Sequence, residues 1–176
     1  MSLNVRALVV LVAILLSPFS AAFQGTYKLG AGDKIQISVY GEEDLSIDEL
    51  YINNSGNFDY PYLGQISALD KTPEQLKAEI TSGLKGDYLI SPKVRVSVVE
   101  FRSIYVNGEV KKPGGYEYQP GLTVDKAIAL AGGFTDRAAR NKVFVSKAGD
   151  DDTKTKAKLS AKVLPGDIIV IEQSFF

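Results

Sequence analysis

Cysteine, histidine and tryptophan are all missing from the 176 residues, and methionine occurs only at the first position. Without cysteine there is no disulfide, no thiolate metal site and no N-terminal cysteine to carry a lipid. Without histidine the commonest metal ligand and the usual general base near neutral pH are gone. Catalytic readings lose most of their candidates, and no catalytic residue, metal ligand or cofactor is assigned. Charge of one sign is not in excess either: 20 Lys and Arg stand against 21 Asp and Glu, a net charge of -1. Nothing in that balance points to nucleic acid or to an anionic membrane surface. Long apolar runs are lacking too. Ala7 to Leu16 is about ten residues, and a spanning helix needs about twenty.

What is present begins with that short run. Arg6 precedes it, Ser17-Pro18 ends it, and the small residues Ser20-Ala21-Ala22 follow, the layout of a cleavable secretory signal. Residues 1–22 are therefore expected to be removed, with cleavage after Ala22 and a mature chain starting at Phe23. The remainder has room for one or two small domains, expected to be soluble or held at a membrane only through partners.

After Leu29-Gly30-Ala31-Gly32-Asp33, the segment Lys34 to Val39 alternates apolar and polar residues, as a strand with one buried face does. Gly41 to Asp48 reads as an acidic loop. Leu50-Tyr51-Ile52 and Phe58-Asp59-Tyr60 flank Asn53 to Asn57 and are expected to pair as a hairpin, with Pro61 ending its second strand. Thr72-Pro73-Glu74-Gln75 supplies the cap, N1 proline and capping-box glutamine of a helix. Leu76, Ile80 and Leu84 are its buried stripe and Gly86 its stop. Lys93 to Glu100 follows as a strand with Val94, Val96 and Val98 on one side, completing an α+β unit.

A second unit begins at Ile104 to Val106, a strand. Gly108 and Pro113-Gly114-Gly115 are turn residues, and Tyr116 to Tyr118 is a returning strand. Thr123 to Ala131 is a helix capped by Thr123 and ended by left-handed glycines at Gly132-Gly133. Its apolar stripe is Val124, Ala127, Ile128 and Ala131. Hairpin, helix, then strand is the order of a β-grasp. Asn141 to Lys147 is a further strand, Asp150 to Lys158 a charged hairpin tip, and Gly166 to Glu172 the closing strand. Leu164-Pro165-Gly166-Asp167 before that strand echoes Gly30-Ala31-Gly32-Asp33 before the first. In both, the aspartate is placed to accept backbone N–H bonds within a glycine turn.

The pattern G-E-V-x-x-P-G-x-Y … L-T-V-x-x-A-I-x-x-A-G-G-F, from Gly108 to Phe134, resembles the SLBB domain, a soluble-ligand-binding β-grasp. Residues from Tyr27 to about Phe101, with L-G-x-G-D-x-I-x-I-x-V, G-N-F-x-Y-P-x-L-G, T-P-E-Q-L and S-P-x-V-x-V-x-V, resemble the N-terminal domain of the polysaccharide export family. The order of the two is similar to that of outer-membrane polysaccharide export proteins. The resemblance implies an α+β export domain over residues 23–101 and a β-grasp over 102–176. It implies a homo-oligomeric ring, often an octamer in this family, that conducts a capsular or exopolysaccharide through the periplasm. The implied partners are the polysaccharide itself, an inner-membrane co-polymerase and an outer-membrane β-barrel, with no nucleic acid. Long members carry an acylatable cysteine, more SLBB repeats and an amphipathic C-terminal helix, which this sequence does not show, hence the expected barrel. The alternative is a secreted carbohydrate-binding module without ring assembly.

Candidate residues carry two readings each. Asp33 and Asp167 suit turn stabilisation better than the spaced acid pair of a glycosidase. Glu42-Glu43-Asp44 and Asp150-Asp151-Asp152 offer oxygen ligands but lack an EF-hand pattern, which favours solvated surface. Tyr51, Tyr60 and Tyr62 are candidate polysaccharide contacts, with hairpin packing as the plainer reading. Val110, Lys111, Lys112, Pro113, Tyr116, Arg137 and Arg140 are candidate subunit-interface residues on the strength of the family's ring assembly, with ordinary solvation equally open for the charged ones.

Overall fold

The computed structural model describes residues 27–147 and 150–174. The expected leader and its cleavage site lie outside the described residues, as do the side chains of Asp150, Asp151 and Asp152.

Strand β1 (Lys34–Val39) buries Ile35, Ile37 and Val39 and exposes Gln36 and Ser38, as its alternation requires. It is the centre of a three-stranded antiparallel sheet between β2 (Ile47–Tyr51) and β5 (Val94–Glu100). A two-stranded ribbon, β3 (Asn57–Tyr60) with β4 (Gly64–Ser67), stands beside it. Helix α1 (Pro73–Leu84) opens on the expected reciprocal cap: Thr72 Oγ1 accepts from Gln75 N–H and Gln75 Oε1 from Thr72 N–H. Leu76, Ile80 and Leu84 are fully buried against the sheet, and the chain leaves the helix through Gly86 at φ 96°.

The expected hairpin between Leu50–Ile52 and Phe58–Tyr60 does not form. The stretch expected as an acidic loop is the tight connection of a β1–β2 hairpin instead, with a 3-10 turn at Glu43–Leu45. Ser46 Oγ accepts from Val39 N–H and donates to Glu42 O, which closes it. Pairing β2 with β1 sets Leu50 opposite Ile35 and brings both to the core. Asn53 Oδ1 then accepts from the N–H groups of Ser55 and Gly56. This Asx turn hands the chain from the sheet to the ribbon.

The second unit is a five-stranded sheet in the order β7-β6-β10-β8-β9: β6 (Ile104–Gly108), β7 (Gly114–Tyr116), β8 (Ala138–Lys147), β9 (Asp150–Lys156) and β10 (Ile168–Gln173). Its first and last strands, β6 and β10, run parallel side by side, the β-grasp arrangement. Helix α2 (Val124–Leu130) lays Val124, Ala127 and Ile128 on a core with Ile104, Val106, Val143, Ile169 and Ile171. The returning strand lies earlier than expected, at Gly114–Tyr116, because Gly115 slides beneath the Tyr105 ring; a Cβ there would sit 3.2 Å from Tyr105 Cε1. Tyr118 drops into the core instead. The segment expected as a charged tip is the edge strand β9.

Thr123 holds the N-cap position but makes no side-chain cap; its hydroxyl donates to Asp125 Oδ1. The first helical N–H groups are taken by distant backbone: Val124 N–H by Ala161 O and Asp125 N–H by Leu159 O, both 2.9–3.0 Å. The helix ends as expected, with Gly132 and Gly133 at φ 80° and 86° and their N–H groups bonded to Ala129 O and Ile128 O.

Candidate functional site

The two glycine turns that looked alike in sequence are alike in structure and face each other. In the first, Asp33 Oδ2 accepts from Gly30 N–H at 2.8 Å; in the second, Asp167 Oδ2 accepts from Leu164 N–H at 2.8 Å. Both aspartates are buried, and each carboxylate is committed to its own turn rather than to an acid pair. One residue joins the turns. Arg102 lies in the three-residue link between β5 and β6. Its backbone N–H and Nη1 donate to the Asp33 carboxylate at 2.8 and 3.1 Å, while Nε donates to Pro165 O of the second turn at 3.1 Å. Tyr27 donates its hydroxyl to Asp33 Oδ2 at 2.6 Å and receives Arg102 Nη1 at 3.1 Å. Burial first, and the Asp33 hydrogen bond second, hold the Tyr27 phenol far above its ordinary range. The rings of Tyr27, Phe101 and Tyr118 meet edge to face at 5.1 and 5.3 Å, so both units share an aromatic seam.

Among the described residues, Asp167 has no such bonded partner. Burial pushes its carboxyl above the ordinary range, offset in part by the Leu164 N–H and the charges of Lys147 and Arg102. The folded protein thus holds this proton more tightly than the unfolded chain, whose carboxyl titrates near 3.8. The associated stability is complete below that pH and falls as pH rises through the raised pKa. Asp167→Asn keeps an acceptor for Leu164 N–H and removes the charge. The variant is expected to be at least as stable as the parent at neutral pH, with a shallower decline from acid to neutral, in urea unfolding over a pH series.

Around this clasp the surface is hollowed. An open groove of about 600 Å³ runs over Ala31 and Gly32 past Tyr51, Asn53 and Asn54. It continues, through the same Ala31, Gly32 and Tyr51, into a cleft of about 380 Å³ bordered by Glu100, Ser103 and Tyr105.

The three candidate tyrosines, expected on or beside one hairpin, are separated. Tyr51, 65 % exposed, stands at the groove. Tyr62, 67 % exposed and at φ 65°, stacks on Tyr88 at 4.8 Å. Tyr60 is only 2 % exposed and donates its hydroxyl to Leu45 O at 2.6 Å; it is a core residue, and as a polysaccharide contact it is withdrawn. Burial raises its pKa. Among the interface candidates, Val110 is buried beside Phe134 in the second core and is withdrawn as well. Tyr116 is half-buried and donates to Lys112 O. Lys111, Lys112 and Pro113 are exposed, on a loop tied to the end of α2 by Lys111 N–H to Gly133 O and Lys112 N–H to Ala131 O. Arg137 lies 3.9 Å from Glu109, and Arg140 covers the Phe134 ring at 5.5 Å, so both already have partners within the chain. Sequence reasoning missed Arg102, Tyr88 and Tyr105. The one available signal was the pair of echoing turns, which asks for something to hold them together.

Two family models match the chain: polysaccharide biosynthesis/export protein over residues 21–99 and the SLBB domain over residues 103–156. Among curated proteins, the exopolysaccharide production protein ExoF of Rhizobium meliloti (strain 1021) is 33% identical over 139 residues, 72% of this chain and 32% of that one. The EPS I polysaccharide export outer membrane protein EpsA of Ralstonia nicotianae is 25% identical over 181 residues, 84% of this chain and 47% of its own length. The polysialic acid transport protein KpsD of Escherichia coli is 29% identical over 111 residues, 62% and 19%. The chain thus spans less than half the length of each of these relatives.

Proposed function

The chain belongs to the polysaccharide biosynthesis/export family, an export domain followed by an SLBB domain, and from that premise we propose that it is a periplasmic part of an exopolysaccharide or capsule export machine. The observation that carries this reading is the occurrence of both family modules in order, each with its own α+β core and joined by a three-residue link. The part is conduction: members of the family are structural export components, and both buried carboxylates at the junction are spent on turns. Copies assemble into a ring between an inner-membrane co-polymerase and an outer-membrane β-barrel, and the chain is held at the outer membrane through these partners after its leader is removed at Ala22. The export domain spans residues 23–101 and the SLBB domain 102–176. Ring closure demands two unlike complementary faces on each copy. The exposed Lys111, Lys112 and Pro113, on a loop braced by α2, furnish one of them. The passage holds its polymer weakly, since a strong site stalls release. Tyr51 and Tyr62 remain the polymer-contact candidates.

The test is complementation of a deletion strain with the parent chain and with Lys111→Glu/Lys112→Glu. The parent should restore secreted polymer and purify as a high-mass assembly in light scattering. The charge-reversed protein should melt normally, scatter as a monomer and leave polymer in the periplasm. A deletion strain that secretes as before removes the export reading; a parent chain that restores secretion as a monomer removes the ring.

A further inference from the structure

Five tyrosines of the described residues are exposed: Tyr40, Tyr51, Tyr62, Tyr88 and Tyr105. Three already have partners for their rings. Lys93 sits over Tyr40 at 5.7 Å, and Tyr62 and Tyr88 stack on each other. Among the described residues, Tyr51 and Tyr105 stack on no other ring and lie under no cation, and both border the one cleft at the junction of the two units.

The rest of that cleft has its own chemistry. Gly32 adopts φ 94°, so this part of the wall is bare backbone. Ser103 and the neighbouring Asn54 are exposed hydrogen-bonding side chains. Of the two charged residues at the cleft, Arg102 is bonded to Asp33 at 3.1 Å, and Glu100 shares Lys34 with Glu49 at 3.3 and 3.7 Å, so the lining offers no free cation to hold an anionic sugar. Aromatic faces beside a polar trough with no free cation suit a ligand with apolar C–H faces, many hydroxyls and no negative charge. The cleft is open along one side, so it suits a chain laid across the surface and not an enclosed small molecule. The floor is held by the Arg102 clasp, so little ordering cost attends binding.

We propose that the cleft between the two units, flanked by Tyr51 and Tyr105, is a binding subsite for an uncharged stretch of sugar residues. The identity of the ligand rests on the export reading; the location rests on the cleft.

The probe is a set of oligosaccharides made by partial acid hydrolysis of the exopolysaccharide secreted by the strain that carries the gene. Saturation-transfer NMR on the purified chain should show millimolar binding that does not change with added salt. Tyr51→Ala and Tyr105→Ala should each weaken it about fivefold, roughly 1 kcal/mol on the scale where 1.4 kcal/mol is tenfold, and the double variant should abolish it. Tyr40→Ala, exposed and away from the cleft, should leave it unchanged. Tyr51→Ala should leave the melting temperature unchanged, whereas Tyr105 also covers Gly115, so Tyr105→Ala should melt in a single cooperative transition at a modestly lower temperature. Absence of binding to the parent chain, binding that survives Tyr51→Ala/Tyr105→Ala, or binding that salt disperses each overturns the subsite. The export reading is judged separately, by polymer secretion in the deletion strain.

Discussion

Asp33→Ala is expected to lower the unfolding free energy by about 3–5 kcal/mol, the usual cost of stripping one partner from a buried ion pair. The side chain of Asp33 is 0% exposed and that of Arg102 only 23%. The variant strands four donors at once: the N–H groups of Gly30 and Arg102, the guanidinium and the Tyr27 hydroxyl. Urea unfolding measures the loss, and a change below about 1 kcal/mol, the net worth of one ordinary hydrogen bond, would refute the account. Arg102→Ala should cost less than Asp33→Ala, since the turn keeps its own bond from Gly30. The double variant should cost well below the sum, because the two residues share one network. The contrast with Asp167→Asn is the sharper point. The same turn motif is used twice, yet neutralising one aspartate should be harmless while losing the other should be severe, because only Asp33 is bonded by a guanidinium.

Gly108→Ala is the second large effect, an expected loss of about 3 kcal/mol or more. Gly108 sits at φ 86°, where an L side chain costs about 1–2 kcal/mol. A Cβ there would also run into the carbonyl oxygen of Ile171, the residue it pairs with in the parallel β6–β10 ladder. Backbone on both sides leaves nothing to give, so the central pairing of the β-grasp must open. Gly121→Ala is the matched control: φ is 85° but a Cβ meets open space, so only the conformational cost of about 1–2 kcal/mol applies. Melting temperatures of the two variants decide it; equal losses would show that the collision with Ile171 has no consequence.

Much of this architecture could be read from local pattern. The alternation of β1, the reciprocal cap of α1, the paired glycines after α2 and the two aspartate turns each depend on residues a few positions apart. What escaped depends on distant ones. Leu50–Tyr51 reads as strand in any pairing, and its choice of β1 follows from Leu50 meeting Ile35. Thr123 marks the start of α2 correctly, but the donors it was expected to satisfy go to Leu159 and Ala161, more than thirty positions on. Tyr60 and Tyr62 are two residues apart in sequence and end on opposite sides of the burial boundary, because Pro61 ends the ribbon strand and the turn that follows holds Tyr62 at a left-handed φ of 65°. Arg102 has no periodicity to betray it; its importance exists only once the two turns are folded within its reach.

Between β5 and β6 there are only Phe101, Arg102 and Ser103, and the middle one is gripped from either side. A joint so short and so fastened has no slack to bend. Force on one half should therefore reach the other as tilt of a single stiff lever, and severing the Asp33–Arg102 grip would turn that lever into a loose chain link.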